Sequence, residues 1–100
     1  MILTLTLNPA VDQTLWVERL VPGEIHRPRE VHLDPAGKGI NVSRMARRLG
    51  APTLALGFLA GDVGRIVQKA LDKELVNHHF VEIAGQTRIN VTIMDAEGNA

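Results

Sequence analysis

Two segments with helical periodicity, each followed by a short apolar strand, constrain the fold of this chain more than any other feature. The apolar residues recur at helical spacing first at Val42, Met45, Ala46 and Leu49, and then at Val63, Ile66, Val67, Ala70 and Leu71. Strands are predicted at 53–58 and 80–83, and Asp62 is predicted to cap the second helix. Because parallel neighbours need a crossover connection, this order predicts an α/β fold with helices packed on a parallel sheet.

The N-terminal part of the sequence has strand patterns without helices. Residues 2–7 alternate threonine with large aliphatic residues, which predicts a first strand that ends at Asn8-Pro9. Residues 14–20 and 25–33 predict a mostly polar hairpin that is poorly supplied with core residues. Pro28 favours an edge position for the second of these strands, because proline cannot donate a ladder hydrogen bond.

The C-terminal part of the sequence indicates an unfinished hairpin. Residues 87–94 alternate as a clean strand, and residues 95–99 have the composition of a hairpin turn. The second strand of that hairpin is missing from the 100 residues. We therefore expect residues 1–100 to be the N-terminal part of a longer α/β domain.

Composition excludes several broad function classes. Eleven lysines and arginines balance eleven aspartates and glutamates, so the electrostatic argument for nucleic acid or an anionic membrane as partner is absent. No cysteine is present to form a disulfide framework, and the N-terminus resembles a strand more than a secretion signal, which favours a cytoplasmic protein. Arg44, Arg47 and Arg48 are interpreted as a solvated face of the first helix.

The loop at 34–39, Asp-Pro-Ala-Gly-Lys-Gly, leads directly into the first predicted helix. Free N–H groups and the helix dipole attract anions at such a position, and glycines let an anion approach closely. Gly37, Lys38 and Gly39 are therefore a candidate phosphate-binding loop, and Asn41 could bind a hydroxyl or a phosphate. The alternative is structural: the glycines make a tight turn, and Lys38 and Asn41 are ordinary surface residues. The spacing matches neither a P-loop nor a dinucleotide-binding fingerprint.

Three further polar residues are candidates for ligand binding. Arg88 and Asn90 are two residues apart on a predicted strand and so project from one face, where they suit a sugar phosphate. Asp12 follows the first strand, and ligands of open parallel sheets bind beyond the carboxyl ends of strands. The alternatives are an exposed strand face for Arg88 and Asn90 and a turn aspartate for Asp12. The spacing of the four histidines predicts no metal site.

Four motifs resemble the N-terminal third of the ribokinase-like (PfkB) carbohydrate kinase family. They are Thr-Leu-Thr-Leu-Asn-Pro-Ala-Val-Asp at 4–12, Ala-Gly-Lys-Gly-Ile-Asn-Val-Ser-Arg at 36–44, Leu-Gly-Phe-Leu-Ala-Gly-Asp at 56–62 and Thr-Arg-Ile-Asn-Val at 87–91. The second motif is similar to the phosphosugar branch of the family. Ala36 departs from the glycine that is common there, and alanine should be tolerated if its φ is negative.

The resemblance implies a ribokinase-like, Rossmann-like parallel sheet with helices and a small β-sheet lid. The lid would comprise segments near 14–33 and 87–95 and would form a homodimer with the lid of a second subunit. ATP and Mg²⁺ would be bound mainly by the C-terminal part of the family domain. The family's catalytic base lies there in a G-A-G-D motif, which has no match in this sequence, so no catalytic residue is expected here.

Residue roles follow from the same resemblance. Asp12 matches the aspartate that holds sugar hydroxyls, and Gly37, Lys38, Gly39 and Asn41 match the loop that binds the phosphosugar. Arg88 and Asn90 match the lid pair, with Arg88 on the phosphate that the substrate already carries. Arg27 resembles a basic lid residue that reaches the neighbouring subunit's site.

The resemblance implies that the longer protein transfers the ATP γ-phosphoryl group to fructose 1-phosphate, which gives fructose 1,6-bisphosphate. Tagatose 6-phosphate and fructose 6-phosphate are alternative substrates, because they place the fixed phosphate and the reacting hydroxyl at a similar separation. A non-catalytic module for phosphosugar binding or dimerisation is a second alternative. The 100 residues alone are expected to be inactive, since they offer only the acceptor half of a phosphoryl-transfer site.

Overall fold

Eight helices and strands form two three-stranded sheets in the computed structural model, which describes residues 1–95. In chain order they are β1 (Ile2–Thr6), β2 (Ala10–Trp16), β3 (Glu30–Ala36), α1 (Lys38–Arg48), β4 (Thr53–Leu59), α2 (Gly61–Lys73), β5 (His78–Glu82) and β6 (Arg88–Met94). Of the turn predicted at 95–99, all but Asp95 lies outside the described residues. Neither helix of residues 1–95 is long and apolar enough to cross a membrane.

The core sheet has the order β1-β4-β5, and all of its strands are parallel, as predicted from the alternation of strands and helices. Thr4 and Ala55 are partners in register and face the same side. Thr4 bonds to α1 through Ser43, and Ala55 belongs to the same hydrophobic core as Val67 of α2. Both helices therefore cover one face of the sheet.

The opposite face of the core sheet is apolar and exposed. Leu3 and Leu5 of β1 are each more than 60% exposed, and Phe58 and Val81 are also exposed on this side. Parallel sheets are ordinarily covered on both faces. Within residues 1–95, this face therefore lacks the covering layer that a parallel sheet usually has.

Helix α1 buries a face that shares only Ala46 with the predicted stripe. Val42 and Met45 are each 51% exposed, whereas Ile40, Ser43 and Ala46 are buried. Polar bonds account for the difference. The Ser43 hydroxyl lies 2.7 Å from the Thr4 hydroxyl and 2.8 Å from that of Thr53, and Thr53 Oγ1 donates to a backbone oxygen of β1. A serine can be buried when its hydrogen bonds are satisfied. A prediction from hydropathy misses this, because it treats serine as a surface residue.

Helix α2 agrees better with its predicted stripe. Val67 and Leu71 are fully buried, and Val63 and Ile66 pack against the same core. The prediction of Asp62 as the N-cap is wrong, because Ala60 occupies that position and Asp62 lies in the first turn. Asp62 pairs with Arg65 instead, so its charge still lies where the helix dipole favours it.

The second sheet has the order β3-β2-β6, and its strands are shifted from the predicted segments. Strands β2 and β3 are antiparallel, from Ala10↔Ala36 to Trp16↔Glu30, and β6 runs parallel to β2. The predicted strands at 14–20 and 25–33 are therefore wrong in their bounds, since residues 17–29 form the connection between β2 and β3. Residues 34–36, which were predicted as loop, complete β3.

The two faces of the second sheet differ sharply in polarity. Register places the polar residues Asp12, Asp34 and Asn90 side by side on one face. The other face carries apolar residues that are 39% to 57% exposed: Val31, Leu33, Ile89, Val91 and Ile93. Its end nearest the core is buried, where Val11 joins the hydrophobic core.

Candidate functional site

Asp12 and Asn90 form a hydrogen-bonded pair in the middle of the second sheet. They are register partners on β2 and β6, and Asn90 Nδ2 donates to Asp12 Oδ1 at 3.0 Å. Both side chains are exposed. Asp12 follows the first strand along the chain, as predicted, but it lies within β2 and not in a turn. The pairing of β2 with β6 brings it beside Asn90.

Arg88 lies on the same face as Asn90, as the two-residue spacing predicts. It begins β6 opposite Ala10, and its Nη2 donates to the backbone oxygen of Asn8 at 3.5 Å. The preceding residue fixes this strand to the core: Thr87 Oγ1 accepts a bond from the N–H of Ala60 at 2.9 Å, and Thr87 N–H donates to the Ala60 oxygen at 3.0 Å. The start of β6 is thus attached to the carboxyl end of β4.

The glycines of the candidate phosphate loop pack against β1. A Cβ on Gly37 would lie 2.6 Å from Thr6 Cγ2, and one on Gly39 would lie 2.5 Å from Thr6 Oγ1. Gly37 also has φ of 138°, which side chains rarely adopt. Both glycines are therefore needed for the tight turn against β1, and this structural role does not depend on a ligand.

The start of α1 leaves two candidate side chains in solvent. Lys38 is the first helical residue and Asn41 lies one turn later, and both are exposed. Part of the anion-binding capacity at this helix end is already used, because the N–H of Ile40 donates to Thr6 Oγ1 at 3.1 Å. Ala36 has no positive φ, which confirms that alanine is tolerated there.

The elements that carry the candidate residues are neighbours at one end of the second sheet. Ala36, Ala10 and Arg88 form one row across the three strands, and α1 begins two residues after Ala36. Ala10 follows the carboxyl end of β1 along the chain, and Arg88 follows Thr87, which bonds to Ala60 at the carboxyl end of β4. Ligands of open α/β sheets bind outside the carboxyl ends of the strands, so the location suits a binding site.

Arg27 lies away from this end of the second sheet. It is exposed in the connection at 17–29, beyond the opposite end of β2. A seven-residue strand spans about 20 Å, so Arg27 lies far from Arg88 along the sheet. Its expected role at a neighbouring subunit's site stays a prediction.

Sequence reasoning missed two residues near the site. Asp34 is the register partner of Asp12 and shares its face, which only strand pairing reveals. Arg44 was assigned to a solvated face, but its side chain is 18% exposed and pairs with Glu74. If Ser43 had been counted among the buried residues of α1, the predicted buried face would have shifted toward Arg44.

No metal site is evident in the part of the chain that the structure describes. No group of three or more His, Cys, Asp or Glu side chains of residues 1–95 could hold a metal ion. A shallow pocket of about 110 Å³ lies at the start of α2, where Ala60, Gly61 and Glu82 are among its lining residues. That pocket contains none of the predicted site residues.

The fold is that of the ribokinase-like α/β proteins, as the resemblance implied. A family model described as pfkB family carbohydrate kinase matches residues 5–100. Because this match covers nearly the whole sequence, the chain belongs to the pfkB family of carbohydrate kinases.

Three solved structures indicate which members of the family are similar. A Staphylococcus aureus protein assigned as a phosphofructokinase is 31% identical, with a TM-score of 0.91 over 99% of this chain and 32% of its own. Phosphofructokinase-2 from Escherichia coli, solved with fructose-6-phosphate, is 31% identical, with a TM-score of 0.88 over 98% of this chain and 33% of its own. A Thermotoga maritima protein described as a possible 1-phosphofructokinase is 39% identical, with a TM-score of 0.82 over 95% and 31%. The present chain spans about a third of the length of these structures.

Proposed function

We propose that the chain is the N-terminal third of an ATP-dependent 1-phosphofructokinase, which converts fructose 1-phosphate into fructose 1,6-bisphosphate. The observation that carries the proposal is that Arg88, Asn90 and Asp12 share one face of the second sheet, whose strand β3 leads through Ala36 into the Gly37–Lys38 turn. The 39% identity to the Thermotoga maritima protein supports the substrate.

The open face of the core sheet supports the proposal that these residues are part of a larger domain. Leu3 and Leu5 are exposed on a parallel strand, where a covering layer is the usual arrangement. We propose that later segments of the same domain cover this face. The similar structures are about three times as long as the chain, which leaves ample sequence for such a layer.

In this proposal Lys38 and Arg88 bind the phosphate that the substrate already carries. Both are exposed cations, and the planar Arg88 guanidinium suits phosphate oxygens. Asp12 accepts a hydrogen bond from a sugar hydroxyl through the carboxylate oxygen that Asn90 does not use, and Asn41 binds a hydroxyl or the phosphate. Gly37 and Gly39 let α1 begin close to β1, which sets where Lys38 emerges.

The phosphoryl donor is proposed to bind outside the described residues. Residues 1–95 offer no group of three or more His, Cys, Asp or Glu side chains that could hold a metal ion, which is consistent with a donor site elsewhere in the domain. The contribution of this chain is therefore to bind and orient the acceptor sugar. We expect purified residues 1–100 to show no phosphoryl transfer from ATP to fructose 1-phosphate, and measurable turnover would contradict this division of roles.

We further propose that the protein is a cytoplasmic homodimer joined through the apolar face of the second sheet. Five exposed apolar residues share this face, whereas the apolar residues of an ordinary protein surface are scattered singly. They are Val31, Leu33, Ile89, Val91 and Ile93. Oligomers are known among the relatives, since Escherichia coli phosphofructokinase-2 has been solved as a tetramer. Light scattering of the full-length protein tests the proposal: Val91→Glu should give a monomer, and Lys69→Glu, on α2, should leave the dimer intact.

A substrate panel tests the assignment of the sugar. Full-length protein is assayed with ATP and, in turn, fructose 1-phosphate, fructose 6-phosphate and tagatose 6-phosphate. The proposal expects the highest kcat/KM for fructose 1-phosphate. Fructose 6-phosphate is the second candidate because it is bound in the Escherichia coli structure. A preference for it would correct the substrate alone, and binding without turnover of all three sugars would favour a non-catalytic module.

A further inference from the structure

Arg44 connects three elements beside the proposed substrate loop. Its Nε lies 3.0 and 2.9 Å from the two carboxylate oxygens of Glu74, which caps the C-terminal end of α2. Its Nη1 donates to the backbone oxygen of Pro35 in β3 at 3.4 Å. The Arg44 side chain is 18% exposed and that of Glu74 29%, so the pair is largely shielded from solvent.

Arg44 bonds to the strand on one side of the loop and belongs to the helix on the other side. Pro35 immediately precedes the Ala36–Gly37 segment, and Asn41 lies three residues before Arg44 on the same side of α1. The guanidinium thus joins the strand that enters the loop to the helix that leaves it. The planar, forked guanidinium has several donors and can bond to the Glu74 carboxylate and the Pro35 oxygen at once. A lysine ammonium group lacks that fixed geometry.

The neighbouring arginines contact the same end of α2 without reaching the loop. Arg48 Nη2 lies 3.4 Å from Glu74, with a side chain that is 60% exposed. Arg47 Nε donates to the backbone oxygen of Leu75 at 3.1 Å. These contacts hold α1 against α2, where the helix dipole favours cations. Arg44 is distinguished from both by its bond to Pro35.

We propose that Arg44 is a positioning residue for the acceptor sugar, which sets the Gly37–Lys38 turn so that Lys38 and Asn41 face the substrate's phosphate. This inference rests on the proposed function. Glu74 is the second member of the device, because it holds the Arg44 guanidinium in the orientation that reaches Pro35. The role is carried through the backbone, and Arg44 itself is not proposed to touch the sugar.

Kinetics of the full-length protein with Arg44→Lys, Glu74→Gln and the control Arg48→Ala test this role. Arg44→Lys keeps a positive charge beside Glu74 but loses the fork. We expect it to raise the KM for the phosphosugar about tenfold, while the KM for ATP changes by less than about twofold. Glu74→Gln should raise the phosphosugar KM in the same direction, and Arg48→Ala should leave both KM values within about twofold of the wild type.

A purely structural salt bridge would give a different result. Arg44→Lys would then lower the melting temperature and the yield of active enzyme, with both KM values unchanged in the folded fraction, and this outcome overturns the inference. Equal rises in both KM values overturn it as well, because the effect would not be confined to the loop. A wild-type protein without phosphosugar kinase activity would instead refute the proposed function.

Discussion

The side-chain amide of Asn90 donates a hydrogen bond to the carboxylate of Asp12 across neighbouring strands, with 3.0 Å between Nδ2 and Oδ1. The two residues are register partners on β6 and β2, so the backbone pairing fixes this contact. Asn90 therefore orients Asp12 and leaves its second carboxylate oxygen for another donor. In the proposed enzyme that donor is a sugar hydroxyl.

Replacing Asn90 with aspartate should harm substrate binding more than removing its side chain. Asn90→Asp places two carboxylates opposite each other, and like charges in that position repel one another and the substrate's phosphate. We expect Asn90→Asp to raise the phosphosugar KM about tenfold more than Asn90→Ala does. The control is Thr92→Ala, two residues further along the same face. Equal KM values for the two Asn90 variants would argue against an anionic ligand here.

The glycines of the loop should be sensitive to added volume. Gly39→Ala drives a methyl group into Thr6, 2.5 Å away, and is expected to destabilise the fold by about 1–3 kcal/mol. Gly37→Ala adds backbone strain at φ 138° and should cost at least about 2 kcal/mol.

Gly85→Ala separates the strain from the clash. Gly85 has φ of 104° with no atom within 4 Å of an added Cβ, so strain alone applies, at about 1 kcal/mol. Urea unfolding of the full-length variants gives the ranking. A Gly37→Ala variant no less stable than Gly85→Ala would contradict the close approach to Thr6.

The buried hydroxyls between β1, α1 and β4 should behave as a coupled unit. Ser43→Ala leaves the hydroxyl of Thr4, a buried residue, without its partner, and should lower the free energy of unfolding by about 1–3 kcal/mol. The double variant Thr4→Val with Ser43→Ala removes both groups and should lose less than the sum of the single changes. Strict additivity in urea unfolding would show that the hydroxyls do not stabilise each other.

The strands and helices of the core sheet were predictable because their patterns are local. The stripe of α2 and the strand at β4 follow directly from hydrophobic periodicity. The buried face of α1 could not be predicted in the same way. Its burial depends on Ser43 bonding to Thr4 and Thr53, which are distant in sequence.

The second sheet was harder to predict for a related reason. Its register is set by pairing between strands, so the shift of β2 to Ala10–Trp16 depends on partners that no local pattern reveals. Alternation correctly placed Arg88 and Asn90 on one face. It could not show that Asp12 bonds to Asn90, or that Arg44 turns inward to Glu74.

The most direct test of the account is the kcat/KM of the full-length protein for fructose 1-phosphate with ATP, in the wild type and in Lys38→Ala and Arg88→Ala. Each variant removes one proposed phosphate contact, which should cost about 2 kcal/mol of transition-state binding, or about thirtyfold in kcat/KM. Lys69→Ala, an exposed lysine of α2, should stay within about twofold of the wild type. Unchanged kcat/KM in both Lys38→Ala and Arg88→Ala would contradict the proposed site.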